Sequence, residues 1–486
     1  MKKLLSFAAF VMTASLMFAQ GNVSDVQSYG ISNLASVNQV GMDNYSEIMQ
    51  DGSMHYLGGM ANEAYVDQLG DLNESYIEQL GDANVAEVNQ IGFGNLAEVS
   101  QGVGFAENNY TYSYQNGDIN WSNQLQRWDY NTGIVHQFGT WNWAFQDQQT
   151  LKNQKIGNYA DAWQDGFANT SYQTQRGQMN TAYVTQYGDW NLADQYQEGK
   201  GNYADIFQYG YDNWGFQDQF GKNNEALLNQ IGGYNTSYQD QRGNGNWSRT
   251  DQGFFYMVYG NFSEAYQRGK MNTQWTWQMG DYNYAFTDQH GKYNDSDTDQ
   301  YGNYNDSYTN QRGNGNDSYT TQIGGAYEGN YSETLQVGKG NVATTDQEGD
   351  MYGMFAGNES YTAQFGKYNT SVTDQYGWDN LSITIQDGVG NTSTTIQTDY
   401  DMIGGVDNIS LTEQYGIDND AWTYQAGVGN MSGTLQMGTE NTSEVLQIGT
   451  NNLALTGQFG DSHLSTVTQI GVGNMSFVGQ YNGVGN

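Results

Sequence analysis

The chain has 486 residues, 53 acidic against 16 basic side chains and a formal net charge of −37, with no proline, no cysteine, 63 glycines and 39 tyrosines. Low hydropathy with high charge describes chains that stay disordered, yet such chains are proline-rich and aromatic-poor, so an ordered architecture lacking a conventional apolar core is expected instead. The composition excludes cysteine nucleophiles, and the charge opposes nucleic-acid binding because it repels phosphate.

Residues 1–19 carry the pattern of a secretory signal peptide: Lys2 and Lys3 form a basic start, 4–18 is an apolar run too short for an anchor, and Ala19 precedes a polar Gln20. No second apolar stretch of spanning length follows, so the mature chain is expected to be exported, with no membrane span.

From Asn22 onward the chain repeats an 11-residue unit, Asn-x-small-x-φ-x-Gln-x-Gly-x-x, numbered here as offsets 0 to 10 from the Asn. It runs through Asn62/Gln68/Gly70, Asn73/Gln79/Gly81 and Asn84/Gln90/Gly92. It continues through Asn202/Gln208/Gly210, Asn213/Gln219/Gly221 and Asn224/Gln230/Gly232, then Asn369/Gln375, and reaches Asn441/Gln447 and Asn474/Gln480. Asn-x5-Gln occurs 37 times in phase, and two degenerate units replace one partner, with Ser28 after Asn22 and His463 before Gln469. Insertions follow the units of Asn44, Asn95 and Asn142, and later those of Asn246, Asn316, Asn341 and Asn391, but the phase resumes each time. Residues 20–486 therefore read as one continuous array.

Even offsets share one face of an extended segment. Offset 2 is Ala, Ser or Gly in 35 of the 37 units, Thr111 and Gln274 being the exceptions, so the even face is the enclosed one. Tryptophans obey the same parity: Trp121, Trp143, Trp214 and Trp247 stand at offset 1, the rest at odd or turn offsets, and none at an inward one. Offset 4 is Val or Ile early, then mixed with several Gln, then Thr in fourteen successive units from Thr276 to Thr434. An outward threonine row would match ice or a surface lattice; parity assigns it to the interior. Seven strand residues and four turn residues, the latter using the positive φ of glycine, give an all-β fold. This is a β-solenoid with two units per coil, whose stacked Asn and Gln amides hydrogen-bond along the axis as in cross-β assemblies. About 20 coils spaced ~4.8 Å apart make a rod of roughly 95 Å. If two units make a coil, the early insertions leave one edge and the later ones the other.

These residues resemble the curlin repeats of curli amyloid subunits. The motif Ser/Asn-x5-Gln-x-Gly-x-Gly-Asn-x-Ala-x3-Gln is matched by Asn84-Val-Ala-Glu-Val-Asn-Gln90-Ile-Gly92-Phe-Gly-Asn95-Leu-Ala97-Glu-Val-Ser-Gln101, and the resemblance covers almost all of the array. It implies a secreted, cell-surface protein of a Gram-negative bacterium that self-associates into functional-amyloid fibres of a biofilm matrix. It also implies a nucleator subunit and an outer-membrane secretion pore as partners.

No catalytic constellation accompanies His55, His136, His290 or His463, and no cofactor is implied. Asp295-x-Asp297-x-Asp299 lacks the turn glycine of a calcium loop, Gln300 standing in its place, so these are outward acids that at most let Ca2+ or Mg2+ bridge neighbouring rods weakly. A structural fibre subunit or nucleator is the leading expectation. The alternative is a monomeric β-solenoid adhesin that grips surface glycans through outward Tyr and Trp rows.

Overall fold

The computed structural model describes residues 21–51, 60–150, 155–253, 259–349, 357–398 and 407–482, with residues 103–106 as backbone only. The expected signal peptide, His55 and most inserted residues lie outside the described residues. Each 11-residue unit forms one strand, from β1 (Val23–Tyr29) to β39 (Met475–Tyr481), and no helix occurs among the described residues. The odd-numbered strands build one 20-stranded parallel sheet and the even-numbered strands build the second. Each strand pairs with the one two units later, nearly all in full register, as in Ala64↔Ala86, Gln68↔Gln90 and Gly70↔Gly92, so two units make one coil. A one-residue slip would turn every inward side chain outward.

Most strands run longer than seven residues. β4 (Glu63–Asp71) passes through Gly70, because glycines stack here with the backbones of successive coils in contact. A Cβ on Gly70, at φ +119, would stand 2.1 Å from the carbonyl oxygen of Gly92. The chain then turns at offset 10 with a left-handed residue that is often not glycine: Leu72 (φ 58), Trp141 (φ 63) and Trp190 (φ 61) all adopt it. These side chains point to solvent, and Leu72 N–H is held by the Met42 carbonyl at 3.0 Å, which offsets the cost of about 1–2 kcal/mol of the left-handed region.

Along the rod the even offsets of the strands are buried and nearly all the odd ones are not, as in β3 (Tyr45–Asp51), where burial alternates along the strand. The two sheets face each other so that offset 2 of one strand meets offset 4 of the opposite strand. A Cβ on Gly133 would lie 2.7 Å from Gln146 Oε1, and one on Gly215 would lie 2.6 Å from Leu228 Cδ2. Thr309 Oγ1 and Ser318 Oγ make the same cross-core pair at 3.4 Å. This facing explains why offset 2 tolerates so little volume. The threonine row is interior, with Thr298 and Thr309 each 1% exposed, so it offers no lattice-matching surface.

Insertions leave the stacking intact: β2 (Leu34–Val40) pairs with β4 as Leu34↔Glu63 and Val37↔Val66 across the first of them. The second is absorbed within β7 (Leu96–Glu107), where the register against β5 (Glu74–Asp82) shifts after Gln79. The early insertions follow odd strands and the later ones follow even strands, so they leave opposite edges of the rod.

Candidate functional site

The repeated interface and the outer surfaces of the solenoid both follow from the unit. The long Gln side chain at offset 6 crosses the coil. Gln68 Nε2 donates along the axis to Gln90 Oε1 at 2.8 Å and across the core to the Tyr45 carbonyl at 3.0 Å. The same axial bond joins Gln79 to Gln101, Gln90 to Gln115, Gln208 to Gln230, Gln219 to Gln241, Gln230 to Gln252, Gln375 to Gln397 and Gln447 to Gln469. Each row therefore ties coil to coil and sheet to sheet, so buried amides that would otherwise be costly are satisfied.

Asn at offset 0 closes the corner, where the backbone reverses and leaves an N–H without a strand partner. Asn62 Oδ1 accepts from Asn84 N–H at 3.0 Å and from Asn84 Nδ2 at 3.2 Å, while Asn62 Nδ2 donates to the Gly81 carbonyl at 2.7 Å. Asn73, Asn84, Asn202, Asn213, Asn224, Asn369 and Asn441 accept in the same way from the backbone N–H one coil on. The carbonyls of Gly70, Gly92, Gly210, Gly221 and Gly232 each receive an Asn Nδ2.

The two rows run in opposite senses. Each offset-6 Gln from Gln39 to Gln458 donates to the later coil, as Gln208 does to Gln230, whereas each offset-0 Asn from Asn22 to Asn452 accepts on Oδ1 from a backbone N–H of the later coil, as Asn213 does from Asn235. Each coil therefore presents one donor row and one acceptor row at either face.

A second glutamine ladder, at offset 4 of odd strands, was not singled out by the sequence reading. Gln124, Gln146, Gln173, Gln195, Gln217 and Gln239 bond in succession at 2.8–3.1 Å. It faces offset 2 of the even strands, Gln173 Nε2 donating to the Ala182 carbonyl at 3.0 Å, while Val184, Ile206 and Leu228 form an aliphatic row at offset 4 of the even sheet. Its signal was a spacing of two units, not one: these glutamines skip every even strand.

Outside, like residues stack at the strand repeat. Trp121 and Trp143 meet edge-on at 5.5 Å, Trp247 meets Trp275 at 6.4 Å, and Phe216 stacks on Tyr238 at 4.5 Å. Trp143 and Trp214 remain 48% exposed. Carboxylates packed between such rows lose hydration, and this pushes Asp194, Asp297 and Asp374 up to about 6, with neighbouring Asp218, Asp299 and Asp346 adding to the rise. Oδ1 of Asp297 and of Asp374 is buried with no hydrogen-bond partner.

The histidines are dispersed. His136 packs among Tyr112, Tyr114 and Trp163, where burial lowers its pKa. His290 lies 3.0 Å from Asp288, and His463 takes a ladder position, its N–H donating to Asn441 Oδ1 at 3.1 Å. Among the described residues no group of three or more His, Asp or Glu could hold a metal ion. No helix among them is long and apolar enough to cross a membrane.

The profile of the curlin associated repeat matches the chain at residues 59–92, 157–188, 177–210, 199–232 and 449–481. No curated protein matches it.

Proposed function

Because this chain is a curlin-repeat protein, we propose that it is a secreted structural protein of the bacterial surface, a curli-like fibre subunit or nucleator that assembles into functional amyloid of a biofilm matrix. The observation that carries this reading is the uniform polarity of the ladders. A coil face that presents Gln Nε2 donors and Asn Oδ1 acceptors complements a face that presents Gln Oε1 acceptors and the backbone N–H donors of the Asn positions. Among the described residues β1 pairs only with β3 and β39 only with β37 (Leu453–Asp461), so each leaves one parallel edge open. Open edges are templates for another chain, and here the incoming chain is a second copy. Secretion, templating by a nucleator and passage through an outer-membrane pore belong to the same proposal and rest on the family.

The test is growth from denaturant followed by thioflavin-T fluorescence and electron microscopy. A lag abolished by preformed seeds supports the proposal. A soluble, β-rich monomer that ignores seeds overturns it and favours the adhesin, whose support is the exposure of Trp143 and Trp214.

A further inference from the structure

This acidic chain keeps nearly all of its cations in one place. Of the 16 lysines and arginines, Lys2, Lys3 and Lys152 lie outside the described residues, and every other one except Arg249 stands where an odd strand turns into the next even strand. Between β13 (Thr170–Gln178) and β29 (Glu359–Lys367), offset 9 of the odd strands carries Lys200, Lys222, Lys270, Lys292, Lys339 and Lys367, all exposed. Offset 7 adds Arg176, Arg242, Arg268 and Arg312. Glu198 is the one carboxylate at those two offsets of these strands. The opposite edge holds no lysine or arginine and carries Asp165, Asp189, Asp212, Asp281, Glu348 and Asp379 instead.

The arrangement costs stability. Lys200 is the direct neighbour of Lys222, Lys270 of Lys292, Lys339 of Lys367 and Arg242 of Arg268, and like charges directly opposite on adjacent strands destabilise a sheet. Arg242 has Asp240 at 2.9 Å, but among the described residues none of the six lysines, nor Arg268 or Arg312, makes an ion pair. From β13 onward the basic edge is also free of insertions, all of which fall on the acidic edge. The result is a ridge of positive charge roughly 40 Å long, a lysine file at offset 9 with arginines beside it at offset 7, with a charge about every 4.8 Å or its multiple. Exposed tyrosine rings flank it: Tyr293 (56%) follows Lys292, and Tyr368 (53%) follows Lys367 and lies 5.7 Å beneath the Lys339 ammonium.

We propose that this edge binds a single extended, carboxylate-bearing polysaccharide laid along the rod axis. A ridge of cations only two offsets wide suits one polyanionic strand and not the two phosphate rows of a duplex. Aromatic rings beside ammonium groups suit a sugar ring that carries a carboxylate. At 0.15 M salt the Debye length of about 8 Å isolates the ridge from the acidic edge, so local attraction outweighs the repulsion of the whole chain. The inference stands whether or not the chain adds end to end.

The experiment titrates the full chain with polygalacturonate at 0.15 M salt, with dextran, single-stranded DNA and a second copy of the chain as comparisons. The variant replaces all six lysines with Gln. Wild type binds polygalacturonate, with affinity that falls as salt rises, and does not bind dextran. The variant binds about tenfold or more weakly, yet melts no lower than wild type because like-charge contacts are gone. Tyr293→Ser with Tyr368→Ser weakens binding without changing its salt slope. The proposal is overturned by equal binding in the lysine variant, by DNA bound as tightly as polygalacturonate, or by lateral pairing of copies in place of any glycan binding.

Discussion

Gln208 Nε2 lies 2.8 Å from Gln230 Oε1 one coil on, and the same nitrogen donates across the core to the Leu192 carbonyl at 2.8 Å. One side chain thus fixes both the axial repeat and the distance between the sheets. Gln208→Ala removes both bonds and leaves the Leu192 carbonyl without this donor. A loss of about 2 kcal/mol per site is expected, and replacing Gln208, Gln219 and Gln230 together should slow or abolish ordering. Denaturant unfolding of the single variant and refolding kinetics of the triple variant check this.

Facing of offset 2 and offset 4 gives a second expectation. Gly133→Ala places a methyl group 2.7 Å from an Oε1 locked in the Gln146 ladder. Overpacking of about 1–3 kcal/mol follows. Gln146→Ala in the same chain relieves the clash while breaking its own ladder bonds, so a double-mutant cycle should show strong coupling between the two positions.

Turn glycines should be intolerant wherever coils touch. Gly210→Ala sets a Cβ 1.9 Å from the Gly232 carbonyl at φ +125, so the backbone must move. A cost of at least about 2 kcal/mol is expected. Gly315→Ala, at φ +65 with nothing within 4 Å of the added carbon, should cost about 1 kcal/mol. Thermal melts of the two variants distinguish contact from conformation.

Acidification should stabilise the fold. Asp194, Asp297 and Asp374 titrate near 6 in the folded chain, above the ordinary 3.8. Folding therefore takes up protons between those values, and stability rises as pH falls from 7 towards 4. Replacing the three with Asn should flatten that part of the profile, which urea midpoints across pH 4–7 would show.

Much of this architecture was legible because it repeats. Parity placed Trp121, Trp143, Trp214 and Trp247 outside, the small residues at offset 2 marked the tight face, and translation by one coil brought Asn62 above Asn84. What remained hidden needed the chain reversal between units. Offset 2 of one strand faces offset 4 of the next only because successive strands run in opposite directions across the core, so the contact of Gly133 with Gln146 follows from no single-unit pattern. Features confined to odd strands, the Gln124–Gln239 ladder and the lysine edge, were diluted when all units were averaged. The left-handed Trp141 and Trp190 at offset 10 carry no residue signature, because any side chain that points to solvent is accepted there.

Cryo-electron microscopy of the assembled protein tests the central claim most directly. Axial stacking predicts filaments one solenoid wide, with the rod axis along the filament, two facing parallel sheets and unbroken Gln and Asn rows across each junction between copies. Isolated rods of roughly 95 Å, or filaments whose strands run along the fibre axis, would contradict it.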